Sequence, residues 1–416
     1  MIARISPGRA EGSVPAPPSK SMAHRLLIAA ALSEGESTIE NLGFSEDILA
    51  TIDCLRVLGK TVKIAGNRAV LSGQRLAKTA EVLSEDSTAE EPLILPVRES
   101  GSTLRFLIPV ALLSGRKVRF TGSEKLFSRP LTVYETIARE QGFLFEKREG
   151  SLLVQGKLNP GTYRIPGDVS SQFISGLLFT LPFLEEDSII ELIPPVESRP
   201  YILLTAAALK AFGIEICFEG DNIIRIPGKQ RGKGLETQVE GDCSNAAFLE
   251  VLNTFGGCVR IEGLNPETLQ GDRFYPELLE ALSHGFCEID LSDCPDLGPV
   301  LFAAAAALHG GKFTGTRRLR IKESDRTAAM QAELRKFGIR CENEENSFTV
   351  FPGNLKKPAE MLYGHNDHRI VMALASLLTL TGGEVSGAEA VRKSWPEYFE
   401  TIKELGIEVE LYAVDQ

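Results

Sequence analysis

The sequence is poor in the residues that build cross-links and metal centres. It has five histidines, one tryptophan and seven cysteines, and no Cys-x-x-Cys pair. An odd number of scattered cysteines argues against a disulfide framework and against a thiolate zinc site. It suits free thiols in a reducing compartment. Long apolar runs are also missing. The stretches around residues 297–308 and 370–380 fall short of the ~20 residues that span a bilayer, so they read as buried helices and no membrane partner is expected. The segment from Met1 to Gly8 has no apolar core and no cleavage site, so neither a signal nor a transit peptide is expected and the location is read as cytoplasmic. Positive charge is in deficit, with 45 Lys and Arg against 56 Asp and Glu and a net charge of -11. That balance disfavours nucleic acid as a partner and requires any anionic ligand to be held by a local cationic cluster.

What is present is ordinary for a globular chain: 416 residues, 43% apolar and 24% charged. The length predicts roughly two or three domains. A repeat then emerges. Six times an amphipathic helical stretch runs into a glycine, at Gly59, Gly142, Gly213, Gly285, Gly338 and Gly406. Each glycine is predicted to be a left-handed helix terminator. A strand-like segment follows, and in four repeats it leads into a hairpin, as at residues 339–351. The unit after Gly285 lacks the hairpin, and the amino-terminal strand is free to complete the sixth unit. Upstream of each amphipathic helix lies a second helix, apolar nearly all round, of the kind that belongs inside a domain. The unit reads β-α-β-α-β-β, with three units per domain. The glycine-rich loop at residues 227–234 predicts a hinge, giving a first domain at 18–234 and a second at 1–17 plus 235–416.

The six buried helices begin near Lys20, Gly101, Ser170, Asp242, Asp296 and Asp367. Helix amino termini carry unpaired N–H groups and partial positive charge, so six of them aimed at one place make an anion site. Lys20, Arg25, Arg105, His368 and Arg369 sit at or near these starts, and Arg129, Arg199, Lys322, Arg326 and Lys393 lie in or beside loops. The competing reading is helix capping by Ser and Asp with ordinary surface arginines.

Four segments carry a family resemblance. Lys20-Ser21 with Arg25, Ser170-Ser171-Gln172, Lys322-Glu323-Ser324-Asp325-Arg326 and Asn366-Asp367-His368-Arg369 resemble, in order, motifs of the 5-enolpyruvylshikimate-3-phosphate synthase family. The resemblance runs from about Lys20 to Phe399. It implies an α/β fold of two domains, each a threefold βαβαββ repeat with buried helices surrounded by sheets. It implies transfer of an enolpyruvyl group from phosphoenolpyruvate to the 5-hydroxyl of shikimate 3-phosphate, both bound between the domains, in a monomer without metal or organic cofactor.

By that resemblance shikimate 3-phosphate meets Lys20, Ser21, Arg25, Ser170, Ser171, Gln172, Ser198, Tyr201, Asp296 and Lys322. Phosphoenolpyruvate meets Lys20, Gly101, Arg129, Gln172, Glu323, Arg326, His368, Arg369 and Lys393. Arginine forks suit its carboxylate and phosphate. The acid–base groups implied are Asp296, Lys322 and Glu323, together with Lys20, their roles left undivided. Competing readings of the residues are a first-turn dipole role for Glu323 and Asp325, and a metal pair at His365 and His368, for which no third ligand is in motif spacing. The enzymatic rival is UDP-N-acetylglucosamine enolpyruvyl transferase, which resembles this chain in fold but carries a reactive cysteine in the loop that here, at residues 121–129, has none. A non-catalytic anion-binding repeat protein is the rival of another class.

The start of the second buried helix departs from the family pattern. Glu99 replaces an amide, Ser102 a threonine and Phe106 a proline, while Gly101 and Arg105 are kept. Phe106 restores a backbone N–H and adds bulk one residue after Arg105. Glyphosate, which occupies the phosphoenolpyruvate site in the family, is therefore expected to inhibit competitively but more weakly than in proline-bearing enzymes. Inhibition constants for the natural chain and for Phe106→Pro test this; equal constants would remove Phe106 from the inhibitor response.

Overall fold

The computed structural model describes residues 1–73, 76 and 91–413. The chain divides into two compact units, Pro18–Glu240 and Met1–Pro17 with Gly241–Gln416. The crossing lies six residues beyond the glycine-rich loop read as a hinge. That loop is built into the Pro18–Glu240 unit: Lys233 bridges to Glu34, and the strand Glu236–Gln238 pairs in parallel with Ser37–Glu40. Ladder hydrogen bonds hold this segment down, and composition alone did not register them.

One sheet pattern recurs. In the order Leu93–Arg98, Val118–Gly122, Ser151–Gln155, Leu144–Arg148, the first pair is parallel and the next two are antiparallel. The same sequence of pairings builds the sheets centred on Ser188–Ile193 and on Gly311–Thr314. Two sheets close by borrowing a distant strand. Glu236–Gln238 supplies the first position beside Ser37–Glu40. Ile2–Ile5 lies between Gly383–Ser386 and Val409–Tyr412, antiparallel to both. The remaining sheet has two strands among the described residues, Cys258–Glu262 parallel to Glu11–Pro15. This is the unit whose helix ends at Gly285 without a hairpin.

The glycine terminators behave as a class with one exception. Gly59, Gly142, Gly213, Gly338 and Gly406 have φ between 76° and 100°. Gly285 has φ 160° and ψ -176°, an extended conformation open to any residue. The expectation of a left-handed terminator is wrong there, because the chain enters the strand Glu288–Asp290 directly and has no hairpin to turn into.

Each unit keeps its buried helices at the centre. Every residue of Gly298–Ala307 except Ala307 is buried. Its run of alanines lets neighbours approach closely, while Phe302 fills the space beside Phe313 and Phe348, with ring centroids 4.8 and 4.4 Å away. Edge-to-face and offset rings of this kind add about 0.5–1.5 kcal/mol to burial alone. In the other unit Gly101–Leu112 packs on Ser171–Thr180. The buried Tyr134 hydroxyl ties the two together, donating toward Arg105 O at 2.7 Å and Phe173 O at 3.2 Å. Gly176 makes room for this junction: a Cβ there would collide with Tyr134 Oη and Arg105 O.

Gly176→Ala is therefore expected to cost about 1–3 kcal/mol by overpacking, read as a lowered midpoint in urea denaturation. A change under about 0.5 kcal/mol, the size of an ordinary surface substitution, would show that the junction yields.

Candidate active site

The helix starts are capped as their sequences require. Ser19, Ser100, Ser170, Asp242 and Asp367 each accept a bond from a backbone N–H in the first turn of the helix that follows. The start near Asp296 is built differently: a 3-10 turn, Pro295–Leu297, runs into Gly298–Ala307 with no side-chain cap. That leaves the Asp296 carboxylate available to other partners.

In the Pro18–Glu240 unit Arg25 is held by neutral acceptors. Arg25 is buried, and its guanidinium donates to Thr205 Oγ1 at 2.9 Å, Ser21 O at 2.7 Å and Tyr201 O at 3.0 Å. It also lies over the Phe106 and Tyr201 rings at 5.2 and 5.9 Å. Burial without a carboxylate partner lowers its pKa to about 10. Lys20 and Arg199 face carboxylates instead, Asp47 Oδ2 at 3.0 Å and Asp221 Oδ1 at 3.4 Å.

Gly101 marks the second cluster. Arg105 Nη1 donates to Gln172 Oε1 at 2.9 Å, and Gln172 Nε2 to Ser102 Oγ at 3.0 Å. A Cβ on Gly101 would stand 2.8 Å from Arg129 Nη1 and 3.0 Å from Arg105 Nη1. Only glycine leaves both guanidiniums their place beside the helix start. Ser170 Oγ accepts from Gln172 N at 3.3 Å, and Ser171 opens the helix. Ser198 adopts φ 55°, ψ 37° as the residue before Arg199–Ala211.

The other unit carries the ionic centre. Arg326, 1% exposed, reaches three carboxylates: Asp296 at 2.9 Å, Glu323 at 2.7 Å and Asp367 at 2.9 Å. Asp296 in turn faces Arg326, Lys322 at 3.4 Å and Arg369 at 3.2 Å. Burial would raise the Asp296 pKa, but Arg369, Lys322 and Arg326 outweigh it and hold the carboxyl well below 3.8. Lys322 moves the other way. Burial of its ammonium lowers its pKa from 10.5; Asp296 and Glu323 oppose the shift, and Arg326 and Arg318 add to it. Lys393 donates to Asn366 O at 2.7 Å. His368 is buried beside Asp367. His365 Nε2 sits 3.0 Å from Glu333, and no group able to hold a metal ion occurs among the described residues.

The cations and two of their carboxylate partners, Asp296 and Glu323, are legible in the sequence; other partners are not. Asp47 reads as a first-turn acid of an amphipathic helix, and Asp367 reads as part of a motif with no role of its own. Arg105 and Ser102, which hold Gln172, carry no substrate assignment in the sequence. Arg318 donates to Ser292 O at 2.6 Å.

The chain is similar to known proteins over nearly its whole length. A family model described as EPSP synthase (3-phosphoshikimate 1-carboxyvinyltransferase) matches residues 5–285 and 281–402. A 3-phosphoshikimate 1-carboxyvinyltransferase of Clostridium novyi is 39% identical over 425 residues, 97% of each chain. One of Clostridium acetobutylicum is 38% identical over 434 residues, 99% of each. The solved structure of an EPSP synthase from Acinetobacter baumannii shares the fold, with TM-score 0.77 at 24% identity over 99% of this chain and all of that one.

The depressed Asp296 pKa has a consequence for stability. Its contribution is complete above the unfolded carboxylate value near 3.8 and is lost as pH falls through the lower folded value. The stability gap between the natural chain and Asp296→Asn is thus expected to stay flat from about pH 8 to pH 5 and to shrink below about pH 4. Urea titrations at several pH values measure it; a gap that widens on acidification would contradict the assignment.

Proposed function

The chain belongs to the EPSP synthase family, and we propose that it transfers the enolpyruvyl group of phosphoenolpyruvate to the 5-hydroxyl of shikimate 3-phosphate, releasing phosphate. The observation that supports this most strongly is the ionic centre. It places a pinned carboxylate, Asp296, beside an ammonium of lowered pKa, Lys322. The acceptor hydroxyl needs orientation and a group that can take its proton, and a protein with no interest in proton transfer has no use for this pair.

In our reading shikimate 3-phosphate is bound by Ser21, Arg25, Ser170, Ser171, Gln172, Ser198 and Tyr201, with Lys20, Asp296 and Lys322 near the reacting hydroxyl. Hydroxyls and N–H groups at a helix start suit its phosphate. Phosphoenolpyruvate is bound by Lys20, Gly101, Arg129, Gln172, Arg326, His368, Arg369 and Lys393, with Glu323 near its methylene carbon. The hydroxyl oxygen bonds to C2 while C3 gains a proton. The tetrahedral adduct then loses phosphate as C3 returns that proton.

The roles divide by basicity. Asp296, facing Arg326 and Arg369, accepts the hydroxyl hydrogen bond but is too weak a base to keep the proton. Lys322 takes it as the neutral amine, a form that burial favours over the ammonium. Glu323, joined to Arg326 at the edge of the network, carries the C3 proton. No metal or cofactor enters the scheme. We also propose a monomer in the cytoplasm; no helix among the described residues is long and apolar enough to cross a membrane.

Phosphate release from phosphoenolpyruvate is expected only when shikimate 3-phosphate is present; release with UDP-N-acetylglucosamine instead would overturn the acceptor. Glu323→Gln keeps size and removes the ionisable proton. It is expected to lower turnover on the order of 10²-fold or more, with far less effect on shikimate 3-phosphate binding. Near-normal turnover would exclude Glu323 from proton transfer.

A further inference from the structure

We infer that Glu333, outside every motif named above, is a positioning residue for the phosphoenolpyruvate groups. This rests on the assignment of Arg326, Arg369 and Lys393 to that substrate. Glu333 lies on Arg326–Lys336, two turns after Arg326, so both side chains leave the same face of the helix. Arg326 grips the following segment through Asp367. Glu333 grips it a few residues earlier. Its Oε2 accepts from Tyr363 N at 3.0 Å, and its Oε1 lies 3.0 Å from His365 Nε2. An ionised carboxylate can only accept, so the imidazole donates. Lys336 completes the clamp, with Nζ 2.8 Å from Glu333 and 3.2 Å from Met361 O.

The clamped segment needs holding. His365 and Asn366 both have left-handed backbones, with φ 51° and 53°, which non-glycine residues rarely adopt in succession. That paired turn has two effects. It aims Asn366 O at Lys393 Nζ, 2.7 Å away, and it delivers Asp367 to cap the helix that carries His368 and Arg369. Burial would raise the Glu333 pKa, but its bonds to His365, Lys336 and Tyr363 N prevail and lower it, so the carboxylate stays charged and able to accept. Nothing in the sequence around Glu333 marks it: it is one more acid on an amphipathic helix.

Without the clamp the turn can relax toward right-handed conformations, displacing Lys393 and Asp367 while leaving the Pro18–Glu240 unit untouched. Glu333→Ala is expected to raise KM for phosphoenolpyruvate about tenfold or more, with KM for shikimate 3-phosphate within about twofold. Adding His365→Gly, which makes a left-handed turn intrinsically accessible, is expected to recover much of that loss. Equal changes in both KM values, or no recovery in the double variant, would mean that Glu333 serves stability alone and would overturn the inference. Should Glu333→Ala fail to fold, Glu333→Gln provides the same reading with a smaller split. Lys393→Ala is the control. If it leaves KM for phosphoenolpyruvate unchanged, the substrate assignment fails; if it raises KM while the Glu333 variants do not, the positioning role fails.

Discussion

A buried guanidinium must be neutralised, and in this chain Arg326 imposes that demand on everything around it. At 1% exposure it cannot be left to water, and an uncompensated charge of that depth costs several kcal/mol. Three carboxylates from three places answer it: Asp296 from a 3-10 turn, Glu323 from the loop before the helix, and Asp367 from a helix cap. Each has a second task. Asp296 collects Lys322 and Arg369, Asp367 begins the helix of His368, and Glu323 stays near the surface with 20% side-chain exposure. The ionic centre is the shape that these overlapping obligations permit.

The two units apply the same repeat to opposite electrostatic ends. Around Arg25 the acceptors are two carbonyls and a hydroxyl, which orient a guanidinium without cancelling its charge. Around Arg326 they are carboxylates, which cancel it and shift the protonation of their neighbours. In a chain of net charge -11, both arrangements gather cations near helix starts within one unit.

Much of the fold was legible because it repeats. Glycine terminators, all-apolar helices and hairpins each left a pattern with a physical cause, and six copies made that pattern visible. Gly285 broke it where a hairpin is missing. The limit of the first unit was misread because Glu236–Gln238 is held by pairing with Ser37–Glu40, a contact some two hundred residues distant in sequence. At the site, cations announce themselves by scarcity in an acidic chain. Some carboxylate partners do not: Asp47 and Glu333 look like any acid on an amphipathic helix, since a partner chosen by tertiary proximity leaves no local trace.

The strand Ile2–Ile5 has a consequence in time. It sits between two strands from the far end of the chain, Gly383–Ser386 and Val409–Tyr412. The whole of Pro18–Glu240 is thus an insertion in the other unit. The ends of that insertion are already joined, with Ser19 N bonded to Glu240 O at 2.8 Å, and Pro17 O and Asp242 N are paired at the same distance across its base. On the ribosome the insertion can close as soon as residue 240 emerges, while the first strand waits with both edges bare until residues 383–412 are made. The order of synthesis thereby lets the Pro18–Glu240 unit finish before the unit that encloses it in sequence.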